Sequence, residues 1–334
     1  MKRRLIFGAH VVISSCLLVA GMQIYDNQPD GDSACPIQDT THTESADGSA
    51  IGIHNYGCRD HGVNVVWSVS VPRECEQGGC GLIIDIHGAT MNAEVENNGS
   101  QLREYGWKAR RRGAAVSYVV AQPNLTDLFD STSMLDPSSV FGGAYLNELA
   151  SMDAFIEDLK ARFKVNPNHM HLYGFSRGTH TANVYYCDEK RRAQFASFGM
   201  HGEQLKCDVN DKPLIMLNGL SDLHQKDRNA QAIRRLDALG ATSSVVHADW
   251  NDTAQGVEWV LGLFPSAAAR GQRLHTRHRL GDKWYESIQH NGATYPLVGH
   301  CLPTTQADGW LHCQANFDTG EEIIDFFIAH PGGG

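Results

Sequence analysis

The sequence predicts an α/β fold in which a mostly parallel central sheet carries helices on both faces. Largely apolar runs at Gly81–Ile86 and Ala114–Ala121 indicate strands that are buried on both sides of a sheet. Over Tyr145–Phe163, apolar residues recur every three or four positions, which is typical of an amphipathic helix of about five turns. Strands and helices continue to alternate after this helix, and such βαβ alternation favours a parallel sheet.

The composition excludes several classes of protein. The chain has 334 residues, of which 42% are hydrophobic, and a net charge of −10. It is therefore not disordered, collagen-like or a coiled coil. No basic run is longer than the three residues Arg110–Arg112, so the basic face that a nucleic-acid-binding protein needs is missing, and we expect no nucleic-acid partner.

The first residues are typical of a secretory signal peptide. Three basic positions, residues 2–4, precede an apolar run over Leu5–Ala20. We predict a signal peptide over residues 1–21 and a secreted protein, extracellular or periplasmic, without stable membrane association; an uncleaved anchor is the alternative. Residues 22–57 are polar and predict a surface extension, and residues 58–331 predict one large domain.

Eight cysteines follow Cys16, and an even number in an exported chain is typical of disulfide bonds. Zinc binding is disfavoured because no CxxC pair occurs. The pairing with the shortest loops joins Cys75 to Cys80, Cys187 to Cys207, Cys301 to Cys313 and Cys35 to Cys58.

The remaining elements follow from the same patterns. Val63–Val71 alternates apolar and polar residues like an antiparallel strand. The others, in order, are a strand at His169–Phe175, a helix from about Thr179, a strand at Leu214–Asn218, a helix at Asp227–Leu239 and a strand at Ser243–His247.

The most informative motif is the Gly-x-Ser-x-Gly segment Gly174–Gly178, which joins a predicted strand to a predicted helix. In such a nucleophile elbow, a sharp turn projects the Ser176 hydroxyl above the sheet, and the flanking glycines let strand and helix approach closely. The amide of Arg177 would then point to the place where a carbonyl oxygen gains charge. An idle serine in a glycine turn is the alternative.

A second donor for that oxygen is expected after an earlier strand. The run that ends at Ile86 leads into His87–Thr90, and the amide of Ala89 is our candidate. We interpret His87 as a structural hydrogen-bonding residue.

A carboxylate and an imidazole are needed to activate the serine, and both follow it in the chain. Asp222 comes just after the strand at Leu214–Asn218, where the acid of a Ser-Asp-His triad belongs. Its rivals are Asp227, Asp249 and Asp252. His300 is our candidate for the general base, in competition with His290 and His312.

These motifs resemble those of a family of secreted esterases that includes polyhydroxybutyrate depolymerases, feruloyl esterases and acetylxylan esterases. The similarity covers residues 60–330 and rests on the segments His87–Thr90, Gly174–Gly178, Asn218–Asp222 and Gly299–Pro303. It implies an α/β-hydrolase fold, a serine nucleophile and no cofactor. Hydroxyalkanoate polyesters or oligomers are the first implied substrate, and feruloyl or acetyl groups on plant polysaccharide are the second. The family's His-Gly before the acid is replaced by Asn218-Gly219, which weakens the assignment of Asp222.

Other interpretations stay open at this point. The alternating His169 and His171 could bind a metal ion. We disfavour such a site because no third ligand is evident nearby, so no metal is expected. Trp284 and Trp310 flank His300 in sequence and are candidates for substrate binding. A catalytically silent binding protein and a peptidase on the same scaffold are the functional alternatives.

Overall fold

A ten-stranded sheet organises the chain in the computed structural model. The structure describes residues 37–44, 50–60, 63–89, 91–124, 143–209, 211–219, 242–246, 259–264, 288–290, 293–295, 300–305, 312–314 and 318–333. The predicted signal peptide and the predicted helix at Asp227–Leu239 lie outside these residues. In the part of the chain that is described, every helix is too short or too polar to cross a bilayer.

The strands and helices are numbered in chain order. The strands of the main sheet are β1 (Ile37–Glu44), β2 (Ala50–Asp60), β3 (Val63–Pro72), β4 (Gly81–Ile86), β5 (Tyr118–Asn124), β6 (Met170–Phe175), β7 (Ser197–His201), β8 (Leu214–Gly219), β9 (Thr242–Val246) and β10 (Trp259–Phe264). Two small sheets contain β11 (Ile288–His290) with β12 (Ala293–Tyr295), and β13 (Leu302–Thr304) with β14 (His312–Gln314). The helices are α1 (Ala93–Ser100), α2 (Leu102–Lys108), α3 (Gly143–Arg162), α4 (Arg177–Cys187), α5 (Glu189–Arg192) and α6 (Thr319–Ala329).

The centre of the main sheet is parallel. Its strand order is β1-β2-β3-β5-β4-β6-β7-β8-β10-β9. The five strands from β5 to β8 run parallel, whereas the pairs at both flanks are antiparallel. The carboxyl ends of β4, β6, β7 and β8 therefore meet at one edge of the sheet, where ligands bind in open α/β sheets.

Each face of the sheet is covered by its own apolar layer. On one face, Leu82, Ile84 and Ile86 of β4 pack in a cluster with residues of α3 and α4, and the ring of Trp67 packs against that of Phe155 with centroids 4.3 Å apart. On the other face, a second cluster joins the sheet to α2 and α6. Burying one such side chain stabilises a fold by about 1.5–3 kcal/mol, which explains why the central strands are mostly apolar.

The predicted α/β class with helices on both faces is confirmed, and several element bounds differ. The structure starts β5 at Tyr118, because residues 114–117 still belong to the turn after Gly113, whose φ is +94°. The strand then continues through the polar Gln122, whose side chain is buried and bonds Asp85. A buried polar side chain of this kind leaves no trace in an apolar pattern.

In the polar segment over residues 22–57, for which we expected a surface extension, the described part of the structure differs more strongly from the prediction. Ile37–Glu44 and Ala50–Asp60 are the first two strands of the sheet and pair antiparallel with each other and with β3. An antiparallel strand at the margin of a sheet can face water on one side, so it needs no apolar run. Its threonines are good strand formers despite their polarity.

Two of the predicted disulfide bonds are confirmed, Cys75–Cys80 and Cys187–Cys207. Cys301 is also disulfide-bonded, and the parallel pairing of β13 with β14 sets Pro303 opposite Cys313. The pairing of Cys301 with Cys313 stays a prediction, and so does that of Cys35 with Cys58, which lies outside the described side chains.

Removing the Cys187–Cys207 bond should lower the free energy of unfolding. The bond spans 20 residues of sequence. Replacing both cysteines by alanine is therefore expected to cost about 3 kcal/mol, mainly because the unfolded chain gains conformational entropy without the bond. Urea unfolding followed by circular dichroism measures this loss. The double alanine variant of Cys75 and Cys80, whose sequence separation is 5, is the control. It should lose less stability, because opening a shorter loop returns less entropy to the unfolded chain. Unchanged stability of the first variant would contradict the expectation.

Candidate active site

Ser176 lies in a strained turn between β6 and α4. Its backbone has φ +50° and ψ −112°, a conformation that a residue with a side chain rarely adopts. The glycines of the motif make this turn sterically feasible. A Cβ on Gly174 would lie 2.4 Å from the carbonyl oxygen of Gly178, and one on Gly178 would lie 2.0 Å from that of Ile86.

The strand order and this turn together decide the fold family. The turn follows the central strand β6, and α4 runs back along the sheet from it. This is an α/β-hydrolase fold. In this fold the serine at such an elbow is the usual place of a nucleophile.

The strained turn is held by bonds to the neighbouring strand β7. The amide of Ser176 donates to the carbonyl of His201 at 2.7 Å. The hydroxyl of Thr179, in the first turn of α4, lies 2.6 Å from the carbonyl oxygen of Gly174 and 2.7 Å from that of His201. Thr179 was not singled out from the sequence, because a threonine inside a predicted helix carries no pattern of its own.

The structure brings His300 next to Ser176. Nε2 of His300 lies 2.7 Å from Oγ of Ser176, although the two residues are 124 positions apart in the chain. The imidazole is 4% exposed and contacts the ring of Phe175, with centroids 5.3 Å apart. Gly202 also lies against the imidazole, since an added Cβ there would be 3.0 Å from Cε1 of His300. The ring is therefore packed in one orientation, which a general base requires.

The loop that carries His300 is tied to α6 through Asp318. The carboxylate of Asp318 accepts hydrogen bonds from the amide of Thr305 at 2.6 Å, from the hydroxyl of Thr304 at 3.0 Å and from the hydroxyl of Tyr105 at 3.1 Å. Although Asp318 stands before the first residue of α6, its side chain makes no cap bond to that helix. The sequence carried a signal for this residue, since an aspartate precedes an amphipathic helix, but a capping role would have been inferred from it.

Hydrogen bonds also hold Gly88 in the segment after β4. The carbonyl oxygen of Gly88 accepts from Nδ1 of His87 at 2.7 Å and from the amide of Met91 at 3.3 Å. Burial lowers the pKa of His87 to about 4, so its imidazole is neutral at neutral pH. Because the C=O and N–H of one trans peptide point in opposite directions, these bonds also set the direction of the Ala89 N–H.

The two candidate oxyanion donors follow adjacent strands. β4 and β6 are parallel neighbours, with Ile86 opposite Gly174, so the turn with Ala89 and the elbow with Arg177 lie at the same edge. Gly178 lies so close to Ile86 and His87 that the first turn of α4 is in contact with the end of β4. Ala89 is 8% exposed and the Arg177 side chain is buried.

Other candidates lie outside the described residues. Asp222, just after the end of β8, is one of them, as are its rivals Asp227, Asp249 and Asp252. Trp284 and Trp310 are also outside, so their predicted role in substrate binding stays a prediction. The rival histidines His290 and His312 belong to the short strands β11 and β14.

Of the alternating His169 and His171, the second has a structural role. His171 is fully buried, its Nδ1 lies 2.8 Å from Oγ of Ser197, and its ring stacks on Phe327 at 4.5 Å. Burial lowers its pKa far below the ordinary value. Over the described ranges, no group of three side chains could hold a metal ion.

The comparisons with known proteins find similarity to solved esterase structures. The sequence matches no protein-family model and no curated protein. A thermostable esterase is 15% identical, with a TM-score of 0.43 over 60% of this chain and 52% of its own. A ferulic acid esterase is 13% identical, with a TM-score of 0.35 over 49% of this chain and 59% of its own. An S-formylglutathione hydrolase from Agrobacterium tumefaciens is 16% identical, with a TM-score of 0.33 over 50% of this chain and 61% of its own. The matched region thus spans between half and two thirds of each of these chains.

Proposed function

We propose that the protein is a serine esterase that hydrolyses carboxylic esters through an acyl-enzyme. One observation carries the proposal, the 2.7 Å contact between Nε2 of His300 and Oγ of Ser176 at a strained strand-to-helix turn. A serine hydroxyl is a weak nucleophile until a base within hydrogen-bond reach removes its proton. Strain and a buried polar contact of this kind are typical of a catalytic site.

The proposed reaction is acyl transfer. His300 takes the proton of Ser176 while the serine oxygen attacks the ester carbonyl, and the amides of Ala89 and Arg177 bind the negative oxygen that forms. The imidazolium then gives its proton to the departing alcohol, which leaves the acyl group on the serine. Water, deprotonated by His300, hydrolyses the acyl-enzyme and restores the hydroxyl. In this proposal Asp222 accepts a hydrogen bond from the imidazole and stabilises its charged form.

The resemblance of the motifs supports a narrower choice of substrate. We place hydroxyalkanoate oligomers or polyesters first, and feruloyl or acetyl esters of plant polysaccharide second. The disulfide bonds Cys75–Cys80 and Cys187–Cys207 support a secreted protein, since such bonds persist in oxidising compartments.

A fluorophosphonate probe tests the nucleophile. We expect one adduct, located on Ser176 by peptide mass spectrometry, and none after denaturation, because only the folded site activates the hydroxyl. An unlabelled but folded protein would favour the silent binding protein on a hydrolase scaffold.

A substrate panel then separates the remaining alternatives. Short p-nitrophenyl esters should be cleaved faster than peptide amides, and the reverse order would favour a peptidase. Hydroxybutyrate oligomers assayed beside feruloylated sugar decide between the two substrate classes. Cleavage of simple esters alone would overturn the substrate ranking and leave the mechanism in place.

A further inference from the structure

The hydroxyl of one threonine joins the elbow to two strands of the main sheet. Thr179 lies in the first turn of α4 and has 0% exposure. Its Oγ1 lies 2.6 Å from the carbonyl oxygen of Gly174, on β6. It also lies 2.7 Å from the carbonyl oxygen and 3.1 Å from the amide nitrogen of His201, which ends β7. One buried hydroxyl therefore ties the helix to the carboxyl ends of both strands.

The three neighbours use both the proton and a lone pair of this hydroxyl. A threonine hydroxyl has one proton to donate and two lone pairs that accept. The proton is shared between the two carbonyl oxygens in a three-centre bond, and a lone pair accepts from the amide of His201. Valine has nearly the shape of threonine but no hydroxyl, so at this position it would take a partner away from buried backbone groups. Buried backbone groups in folded proteins are almost always paired.

The same residue restrains the backbone on both sides of Ser176. The carbonyl of His201 that accepts from the threonine hydroxyl also accepts from the amide of Ser176, at 2.7 Å. On the other side, the amide of Thr179 donates to the carbonyl oxygen of Ser176 at 2.9 Å. These bonds hold Ser176 at a φ of +50°, a strained conformation that persists only where its surroundings enforce it.

The restrained carbonyl of Ser176 sets the direction of the next amide. The carbonyl of Ser176 and the N–H of Arg177 belong to one planar trans peptide group, in which they point in opposite directions. Because the amide of Thr179 holds the carbonyl toward α4, the N–H of Arg177 points out of the N-terminal end of this helix. That end lies at the carboxyl edge of the sheet, where Ser176 meets His300.

We propose that Thr179 is a positioning residue, whose buried hydroxyl fixes the elbow so that the N–H of Arg177 faces the oxygen that becomes negative. This inference rests on the proposed function, because it needs an oxyanion to form beside Ser176. Since Thr179 is fully buried, it acts through the backbone of Ser176 and Arg177. Without the hydroxyl the elbow relaxes, the N–H turns away from the oxyanion, and the transition state is bound less tightly.

Two substitutions of Thr179 separate its hydroxyl from its shape. We expect Thr179→Val to lose about 10²-fold in kcat on p-nitrophenyl acetate with little change in KM, as when one oxyanion donor is lost. Thr179→Ser keeps the hydroxyl and lacks only the methyl group, so its kcat should stay within about 3-fold of wild type. Each kcat is counted per active site titrated with a fluorophosphonate, so that unfolded molecules do not contribute.

Tyr186→Phe is the matched control on the same helix. The hydroxyl of Tyr186 also lies near two backbone carbonyls, 3.3 Å from that of Val209 and 3.1 Å from that of Lys212, but at the other end of α4. Its removal should lower the urea concentration at the midpoint of unfolding and leave kcat per site at the wild-type value.

A transition-state analogue separates the proposed role from a general loss of structure. When a trifluoromethyl ketone reacts, the oxygen of Ser176 bonds to the carbonyl carbon, the proton of the serine passes to His300, and the carbonyl oxygen becomes negative. The inhibition constant in Thr179→Val should rise by about the factor by which kcat/KM falls, because both measure binding of the same charged oxygen. A partly unfolded variant would instead show fewer titrated sites and an unchanged inhibition constant.

Three results would overturn the inference. These are a wild-type kcat per site in Thr179→Val, a loss in Thr179→Ser as large as in Thr179→Val, and an unchanged inhibition constant beside a lower kcat. If Thr179→Val does not fold, the same measurements are made on Thr179→Ala, which places no methyl group against the carbonyl oxygens.

A wild-type protein without esterase activity would refute the proposed function instead. Amide hydrogen exchange over residues 174–179 then tests the role of the hydroxyl by itself. Exchange should be faster in Thr179→Val than in Thr179→Ser, because the elbow opens more often without the hydroxyl, and equal rates would contradict the proposal.

Discussion

Replacing Ser176 by alanine is expected to lower kcat for ester hydrolysis by about 10⁴-fold or more, because the acyl-enzyme can no longer form. Steady-state kinetics on p-nitrophenyl acetate measures the loss, and a fluorophosphonate should no longer label the protein. The hydroxyl bonds His300 and is not part of the apolar core, so the melting temperature should change by less than about 3 °C.

A control separates this effect from a general disturbance of the site. Ser197→Ala removes another serine hydroxyl that bonds an imidazole, 2.8 Å from Nδ1 of His171, but on β7 and away from the elbow. We expect this variant to keep most of its activity and to lose stability, since it leaves a buried imidazole nitrogen unpaired. Comparable activity in Ser176→Ala and wild type would place the nucleophile elsewhere.

Replacing Gly178 by alanine should strongly lower the free energy of unfolding. The new Cβ would lie 2.0 Å from the carbonyl oxygen of Ile86 and 2.9 Å from that of His87, and both contacts are with backbone that cannot rotate away. Alanine favours a helix over glycine by about 1 kcal/mol, but such overpacking costs about 3 kcal/mol or more, so the clash outweighs the gain. Urea unfolding measures the difference, and labelling of Ser176 should be lost with the elbow.

Gly332→Ala is the matched control for this substitution. A Cβ there would meet the Cβ of Ala196 at 3.4 Å, an ordinary van der Waals distance. We expect a change below about 1 kcal/mol in this variant. A Gly178→Ala protein as stable as this control would show that strand and helix can separate at the elbow, and the close approach of α4 to β4 would not be required.

The sequence predicted those parts of the fold that depend on neighbours along the chain. The strand β4 was recognisable because it is apolar apart from Asp85 and both of its faces are covered, and the elbow because two glycines frame one serine at fixed spacing. β7 was not predicted, since Ser197–His201 is short and mixes polar residues with a glycine, yet it supplies the carbonyl that holds the amide of Ser176. α6 was also not assigned, although its apolar spacing and a preceding Asp318 are readable signals.

The sequence by itself thus determined the elbow, the buried strands and the short-range disulfide bonds, because each is specified by residues close together in the chain. Only the tertiary structure decided that His300 meets Ser176 across 124 residues and that Gly202 packs against the imidazole. The physical reason is that such contacts depend on how parallel strands align at one edge of the sheet and on how the following loops return to it. No local pattern of side chains encodes such contacts between residues that are far apart in the chain.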